Sequence, residues 1–162
     1  ININLWNTNI EKNLVNSRKI LQLLNESFKS KKNLINKKTF VIYLIKNNKI
    51  IGTISLLNNT DLLNYLKLKI SDEEILNSYI FRASKGIYFY NLAVSKEYRG
   101  RGIAQKLIDI ALYVSKLKEY EYCHTSCEND ISEHLFKKRG FKTEKHFTIG
   151  NGSTIRVMSS FI

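Results

Sequence analysis

Residues 86–104, GIYFYNLAVSKEYRGRGIA, restrict the possible folds more than any other stretch of the chain. Ile87, Tyr88, Phe89, Tyr90, Leu92, Ala93 and Val94 are apolar or aromatic around a single Asn91, which predicts a central strand buried on both faces. A polar turn, Ser95 to Tyr98, leads into Arg99-Gly100-Arg101-Gly102-Ile103-Ala104. Ala104, Leu107, Ile108, Ala111 and Val114 then recur at helical spacing. The stretch therefore reads as a strand, a basic glycine turn and an amphipathic helix.

That order of elements suggests a ligand. A helix start leaves its first N–H groups without partners and carries the positive end of the helix dipole, so it attracts phosphate. Gly100 and Gly102 lack Cβ atoms, which lets the backbone take unusual dihedrals and approach an anion closely. Arg99 and Arg101 add fork-shaped donors suited to phosphate oxygens. The turn reads as a pyrophosphate seat, and the plainer alternative is a glycine turn with two solvated arginines. It is neither a Walker loop, since no Gly-Lys-Ser/Thr follows, nor a dinucleotide fingerprint, since the third glycine is missing.

The remaining elements follow in order. Residues 1–6, ININLW, alternate as a first strand. Thr8 and Glu11 form a capping box for a helix with Ile10, Leu14, Ile20, Leu21, Leu23 and Leu24, ending near Phe28. Thr39–Ile45 and Ile50–Leu57 make a hairpin around Asn47-Asn48, with Gly52 inside its second strand. Residues 58–85 hold a leucine-rich run, Asp61 to Leu68, and a second capping box, Ser71 to Glu74, that starts a short helix. Tyr120 to Ser126 is a fifth strand, and Asn129 caps a helix running to Arg139 and closed by Gly140. Phe141–Ile149 and Thr154–Phe161 form a closing hairpin around Gly150-Asn151-Gly152.

A length of 162 residues, 43% hydrophobic and 11% aromatic, predicts a single domain, residues 1–162, with a real core. Lys and Arg outnumber Asp and Glu by 26 to 14, for a net +12. This favours a polyanion, whether nucleic acid, anionic membrane or phosphate-rich cofactor. The lysines are scattered, however, in a chain also rich in Asn and Ile, so charge alone argues weakly for nucleic acid. Cys123 and Cys127 are the only cysteines, too few for a disulfide framework, which points to a reducing compartment. With no leader and no apolar run near eighteen residues, the expected setting is soluble and cytoplasmic. The absent initiator methionine suggests trimming or preceding residues.

Arg99-x-x-Gly102-x-Ala104, following Leu92-Ala93-Val94, resembles the Arg/Gln-x-x-Gly-x-Gly/Ala signature of the GNAT superfamily of acyl-CoA-dependent N-acetyltransferases. Asn129, Leu135-Phe136 and Gly140-Phe141 resemble the Asn-x-x-Ala-x-x-Leu-Tyr-x-x-x-Gly-Phe element of the same family, with Ser132 where alanine is preferred. The two matches cover roughly residues 87–147. The resemblance implies an α/β (α+β) fold, a mixed, mostly antiparallel sheet of about seven strands flanked by helices on both faces. Residues 58–85 then form a helical insertion, either an acceptor-site flap or padding for the sheet edge.

The implied reaction moves an acetyl group from acetyl-CoA, as co-substrate, to a primary amine by direct attack, without a metal. By the same resemblance Leu92, Ala93 and Val94 would pair with the pantetheine arm, and one of their N–H groups would polarise the thioester. Arg99, Gly100, Arg101, Gly102, Ile103 and Ala104 would hold the pyrophosphate. Asn129 would face the pantetheine amides and Phe136 would line their channel. An alkyl amine of pKa about 10.4 must lose a proton before attack, at roughly 4–5 kcal/mol at pH 7, whereas a thiol of pKa near 8.5 leaves as thiolate for about 2 kcal/mol. A base therefore matters more than an acid.

Phe136 stands where the family carries its acidic tyrosine, which leaves water, Tyr88, Tyr90 or Tyr122 as proton donors. His124 stands five residues before Asn129, where the protein-N-terminus acetyltransferases of the family carry glutamate, and is the possible general base. Strand alternation sets His124 with Tyr122 and Ser126, away from Cys123 and Cys127, which argues against a metal site. The acceptor would be a small-molecule amine or a peptide or protein amine, with no membrane partner, and the assembly a monomer or homodimer. Two alternatives compete: a non-catalytic acyl-CoA-binding protein of the same fold, motivated by Phe136, and a basic nucleic-acid-binding protein. Aromatics at core strand positions count against the latter.

Overall fold

A computed structural model describes residues 2–7, 14–28, 39–67, 85–148 and 152–162. Seven strands and four α-helices are formed among them: β1 (Asn2–Asn7), α1 (Leu14–Ser27), β2 (Phe40–Lys46), β3 (Lys49–Asn58), α2 (Asn59–Lys67), β4 (Gly86–Val94), α3 (Ile103–Leu117), β5 (Tyr122–Cys127), α4 (Asp130–Lys137), β6 (Lys142–Thr148) and β7 (Thr154–Phe161). A single 3₁₀ turn, Lys96–Tyr98, joins β4 to the glycine turn. The strands form one mixed sheet in the order β1-β2-β3-β4-β5-β7-β6, so the strand expected to be central is fourth of seven. β4 and β5 run parallel, while β1–β2, β2–β3, β5–β7 and β6–β7 are antiparallel. The Thr8 and Ser71 capping boxes lie outside the described residues, as does most of the Gly150-Asn151-Gly152 turn. Gly152, the described part of that turn, has φ 84°.

The chain divides into two compact units, Ile1–Leu56 with Tyr90–Ala111, and Leu57–Phe89 with Leu112–Ile162. In the first, Asn47 and Asn48 take φ 50° and 62° in the two-residue turn of the β2–β3 hairpin. Asparagine tolerates this left-handed geometry, which matches the twist of the strands. The hairpin register shifts between Leu44 and Ile45. One side of the hairpin carries Val41 and Tyr43, which pack with Ile20, Leu23 and Leu24 of α1, Ile50 of β3 and Ala93 of β4. Leu44 pairs with Gly52 and therefore lies on the opposite face. A Cβ on Gly52 would come within 2.9 Å of Leu107 Cδ1 and 3.1 Å of Ile103 Cγ2. Gly52 is thus the residue that lets α3 settle against the sheet, and α1 and α3 cover opposite faces of this unit.

In the second unit β5 is flanked by β4 and β7. Phe141 stacks at 5.0 Å on Phe136 of α4 and at 6.1 Å on Phe89 of β4, all three buried. Edge-to-face and tilted rings at such spacings add about 0.5–1.5 kcal/mol per pair to simple burial. Asn58 caps α2: its Oδ1 accepts from the Asp61 N–H at 2.9 Å while its Nδ2 donates to the Asp61 carboxylate at 2.8 Å. The strand expected from Tyr120 begins at Tyr122. Glu119 has φ 64°, and the Glu121 N–H donates to the Lys85 carbonyl at 2.9 Å, so these residues turn the chain out of α3 instead. No helix among the described residues is long and apolar enough to cross a membrane.

Candidate functional site

In the first unit, β4 leads through a tied corner into α3. The Ser95 N–H donates to the Ile51 carbonyl at 2.8 Å, which anchors the strand end. Arg99 folds back so that its Nε donates to the Val94 carbonyl at 3.1 Å. That guanidinium therefore braces the turn with one donor and keeps its remaining donors for the surface, where Arg99 is exposed. Gly100 and Gly102 take φ 74° and 77°, and a Cβ at either would meet nothing within 4 Å. The space beside both glycines is therefore open, and the turn takes a backbone shape that glycine adopts without strain. The bond that opens α3 runs from the Lys106 N–H to the Gly102 carbonyl at 3.1 Å. The amides of Gly102, Ile103 and Ala104 thus stand ahead of the helix's own ladder, at its positive end.

Sequence reasoning passed over the partners that place Arg101. Its guanidinium lies 5.1 Å from the centroid of the Tyr98 ring, and Lys46 Nζ lies 5.6 Å from that centroid. The aromatic face attracts both cations and gathers them beside the turn. Glu97, next to Tyr98, pairs with Lys49 at 2.9 Å, an exposed bridge. The local signal was present, since Tyr98 directly precedes Arg99, but the hairpin's Lys46 is about fifty residues away in sequence. Leu92 is half-buried, Ala93 and Val94 are buried, and the Tyr90 hydroxyl is hydrogen-bonded to Thr39 Oγ1.

In the second unit, β5 places His124 in a closed polar cluster. The residue is fully buried. Its Nε2 donates to Asn59 Oδ1, and Asn59 Nδ2 donates to the Tyr122 hydroxyl at 2.7 Å. The Tyr88 ring lies 5.1 Å from the imidazole and that of Tyr122 5.8 Å, while the Tyr88 and Ser126 hydroxyls share a hydrogen bond of 2.5 Å. A Cβ on Gly86 would lie 2.3 Å from Asn59 Nδ2, so the cluster closes against bare backbone. Burial pulls the imidazole pKa down from 6.5 to about 3, because a charged ring there would lose its hydration. His124 is therefore neutral at pH 7 and a weak base. Burial also pushes the thiols of Cys123 and Cys127 up to about 12, which makes both unreactive.

Asn129 caps α4, its Oδ1 accepting from the Ser132 N–H at 2.8 Å, so of the two ends of its amide the Nδ2 donor remains for other partners. Phe136 is 3% exposed and belongs to the phenylalanine cluster. Arg156 of β7 links Asp130 at 2.7 Å and Glu133 at 3.7 Å, and the Thr143 hydroxyl donates to Glu133 at 2.7 Å. That hydroxyl, with Lys137 and Arg156 nearby, holds the Glu133 carboxyl below its ordinary range. Asn59 escaped the sequence reading altogether, since it stands 65 positions from its histidine partner. No group of three His, Cys, Asp or Glu side chains arranged to hold a metal is found among the described residues.

A family model described as the acetyltransferase (GNAT) family matches residues 13–141. The chain is also similar in fold to solved acyltransferases. An acyl-CoA N-acyltransferase from Pseudomonas aeruginosa superposes with a TM-score of 0.71 at 14% identity, over 98% of this chain and 97% of the other. An IAA acetyltransferase from Bacillus cereus ATCC 14579 gives 0.63 at 15% identity, over 99% of both chains. A ribosomal-protein-alanine N-acetyltransferase from Brucella melitensis gives 0.57 at 14%, over 93% and 80%.

Proposed function

Since the chain belongs to the acetyltransferase (GNAT) family, we propose that it binds acetyl-CoA as co-substrate and transfers the acetyl group to a primary amine by direct attack. The observation that carries this reading is the corner between β4 and α3. There two glycines at positive φ, open space around both, Arg99 and Arg101, and the amides at the start of α3 provide what a diphosphate needs. In this reading Arg99 to Ala104 hold the pyrophosphate, and the backbone of Leu92, Ala93 and Val94 runs beside the pantetheine arm. Asn129 would contribute its Nδ2 donor, and Phe136 acts through packing. A bound acetyl-CoA would supply the activated acyl group.

The amine must lose its proton. Moving that proton from an alkylammonium of pKa about 10.4 to an imidazole of pKa about 3 is uphill by roughly 10 kcal/mol. His124 can therefore serve as base only toward an amine that arrives already neutral, and water is the competing acceptor. His124→Ala decides between them. A large fall in kcat with acetyl-CoA affinity intact supports the histidine, and an unchanged rate across pH assigns the proton to water.

The acceptor is proposed as a small-molecule or peptide amine, in a cytoplasmic, reducing setting that suits free Cys123 and Cys127. The test is calorimetry with acetyl-CoA, followed by a panel of amines monitored for released thiol. Binding with turnover supports the proposal. Binding without turnover on any amine favours an acyl-CoA sensor, and no binding at all removes the reading.

A further inference from the structure

Asn91 is the polar residue that interrupts the apolar run of β4, and neither the phosphate-binding turn nor the proton chemistry uses it. Its backbone has φ 52°, in the left-handed region that residues with side chains seldom enter, and it lies in mid-strand, where extended backbone is the rule. Its side-chain Nδ2 is buried and has no hydrogen-bond partner among the described residues. The residue as a whole is half-buried, so part of it reaches the surface although this donor does not, and a ligand would meet the donor only after the amide rotates outward.

A buried donor is normally matched, and leaving one unmatched destabilises the fold. Its positive φ adds a smaller cost, because asparagine enters the left-handed region more readily than most residues with side chains. Glycine would relieve both, because it has no amide to bury and enters the left-handed region freely. An asparagine kept there with its donor unmatched by the protein points to a ligand acceptor. Asn91 directly precedes Leu92, Ala93 and Val94, the backbone assigned above to the pantetheine arm, and every acceptor along that arm and its acyl end is a carbonyl, a hydroxyl or sulfur.

We propose that Asn91 donates its Nδ2 hydrogen bond to a carbonyl oxygen of bound acyl-CoA, either that of the acyl thioester or that of a pantetheine amide. The amide rotates outward to reach that oxygen. This inference rests on the acyl-CoA reading of the preceding subsection, and the test separates the two.

Wild type, Asn91→Gly and Asn91→Asp are compared by calorimetry with acetyl-CoA and with free CoA, and by thermal melts. Glycine keeps the φ and deletes the donor, whereas aspartate keeps shape and left-handed tolerance but presents an acceptor. Both variants should melt within a few degrees of wild type and bind acetyl-CoA about tenfold more weakly. A loss confined to acetyl-CoA assigns the thioester carbonyl, and an equal loss for both ligands assigns a pantetheine amide. Should Asn91→Gly bind both ligands as wild type does, or fail to fold, Asn91 is a conformational residue and the inference falls while the acyl-CoA reading stands. Wild-type protein that binds neither ligand overturns both.

Discussion

His124 shows what one residue's surroundings decide. Sealed against Tyr88, Tyr122 and Asn59, it has a folded pKa of about 3 against an ordinary 6.5. Between those values the unfolded chain binds the proton and the folded one does not, so stability rises with pH across this window. The contribution is complete above about pH 6.5 and is lost as pH falls toward 3, at up to about 1.4 kcal/mol per unit. Urea melts at pH 4.5 and 7.5 should show this difference in wild type and a smaller one in His124→Gln. Equal slopes would assign the acid lability to other groups. Phe136 sets a ceiling of another kind. Supplying a tyrosine hydroxyl to the leaving thiolate can save at most about 2 kcal/mol, so Phe136→Tyr should raise kcat by no more than about thirtyfold. Because Phe136 is 3% exposed, the added hydroxyl should also lower the melting temperature. A larger gain in kcat would mean that leaving-group protonation, and not the amine, limits the reaction.

At the scale of elements, the strand, turn and helix of residues 86–117 were legible because their signals are local. Apolar residues in β4, paired glycines in the turn and period-3.6 spacing in α3 each act within a few positions. The cap at Asn129 and the turn at Asn47-Asn48 were legible for the same reason. What escaped is carried by contacts distant in sequence: the Asn59–His124–Tyr122 cluster, Lys46 over Tyr98, and the fit of Gly52 beneath α3. Gly52 was visible as a glycine within a strand, but its reason, the approach of Leu107 and Ile103, is not written near it. Gly52→Val should therefore push α3 away and cost about 1–3 kcal/mol, read as a fall in denaturation midpoint. The glycine turn makes the opposite prediction. Since a Cβ at Gly100 meets nothing and asparagine tolerates positive φ, Gly100→Asn should leave the melt nearly unchanged while obstructing an anion. Acetyl-CoA affinity falling with stability intact assigns the glycine to the ligand, whereas affinity and stability falling together assign it to the fold.

For the molecule as a whole, a net charge of +12 attracts any polyanion, so affinity for a negative partner does not by itself separate an acetyltransferase from a nucleic-acid-binding protein. The dependence on salt does. Binding that only neutralises phosphates releases counterions, and its affinity drops steeply, by orders of magnitude for six or more contacts between about 50 and 200 mM salt. In the proposed mode, a diphosphate at the β4–α3 corner would be held partly by backbone amides and by close approach at Gly100 and Gly102, the two glycines at positive φ. Short-range contacts of that kind are screened far less than surface lysines about one Debye length, roughly 10 Å, away. Acetyl-CoA affinity should accordingly fall only severalfold across that salt range, whereas any binding of a single-stranded oligonucleotide should collapse. Measured side by side, by calorimetry for the first and fluorescence anisotropy for the second, parallel steep slopes would reduce the corner to diffuse electrostatics. A shallow slope for acetyl-CoA alone would mark it as a built site, and the scattered lysines as background charge.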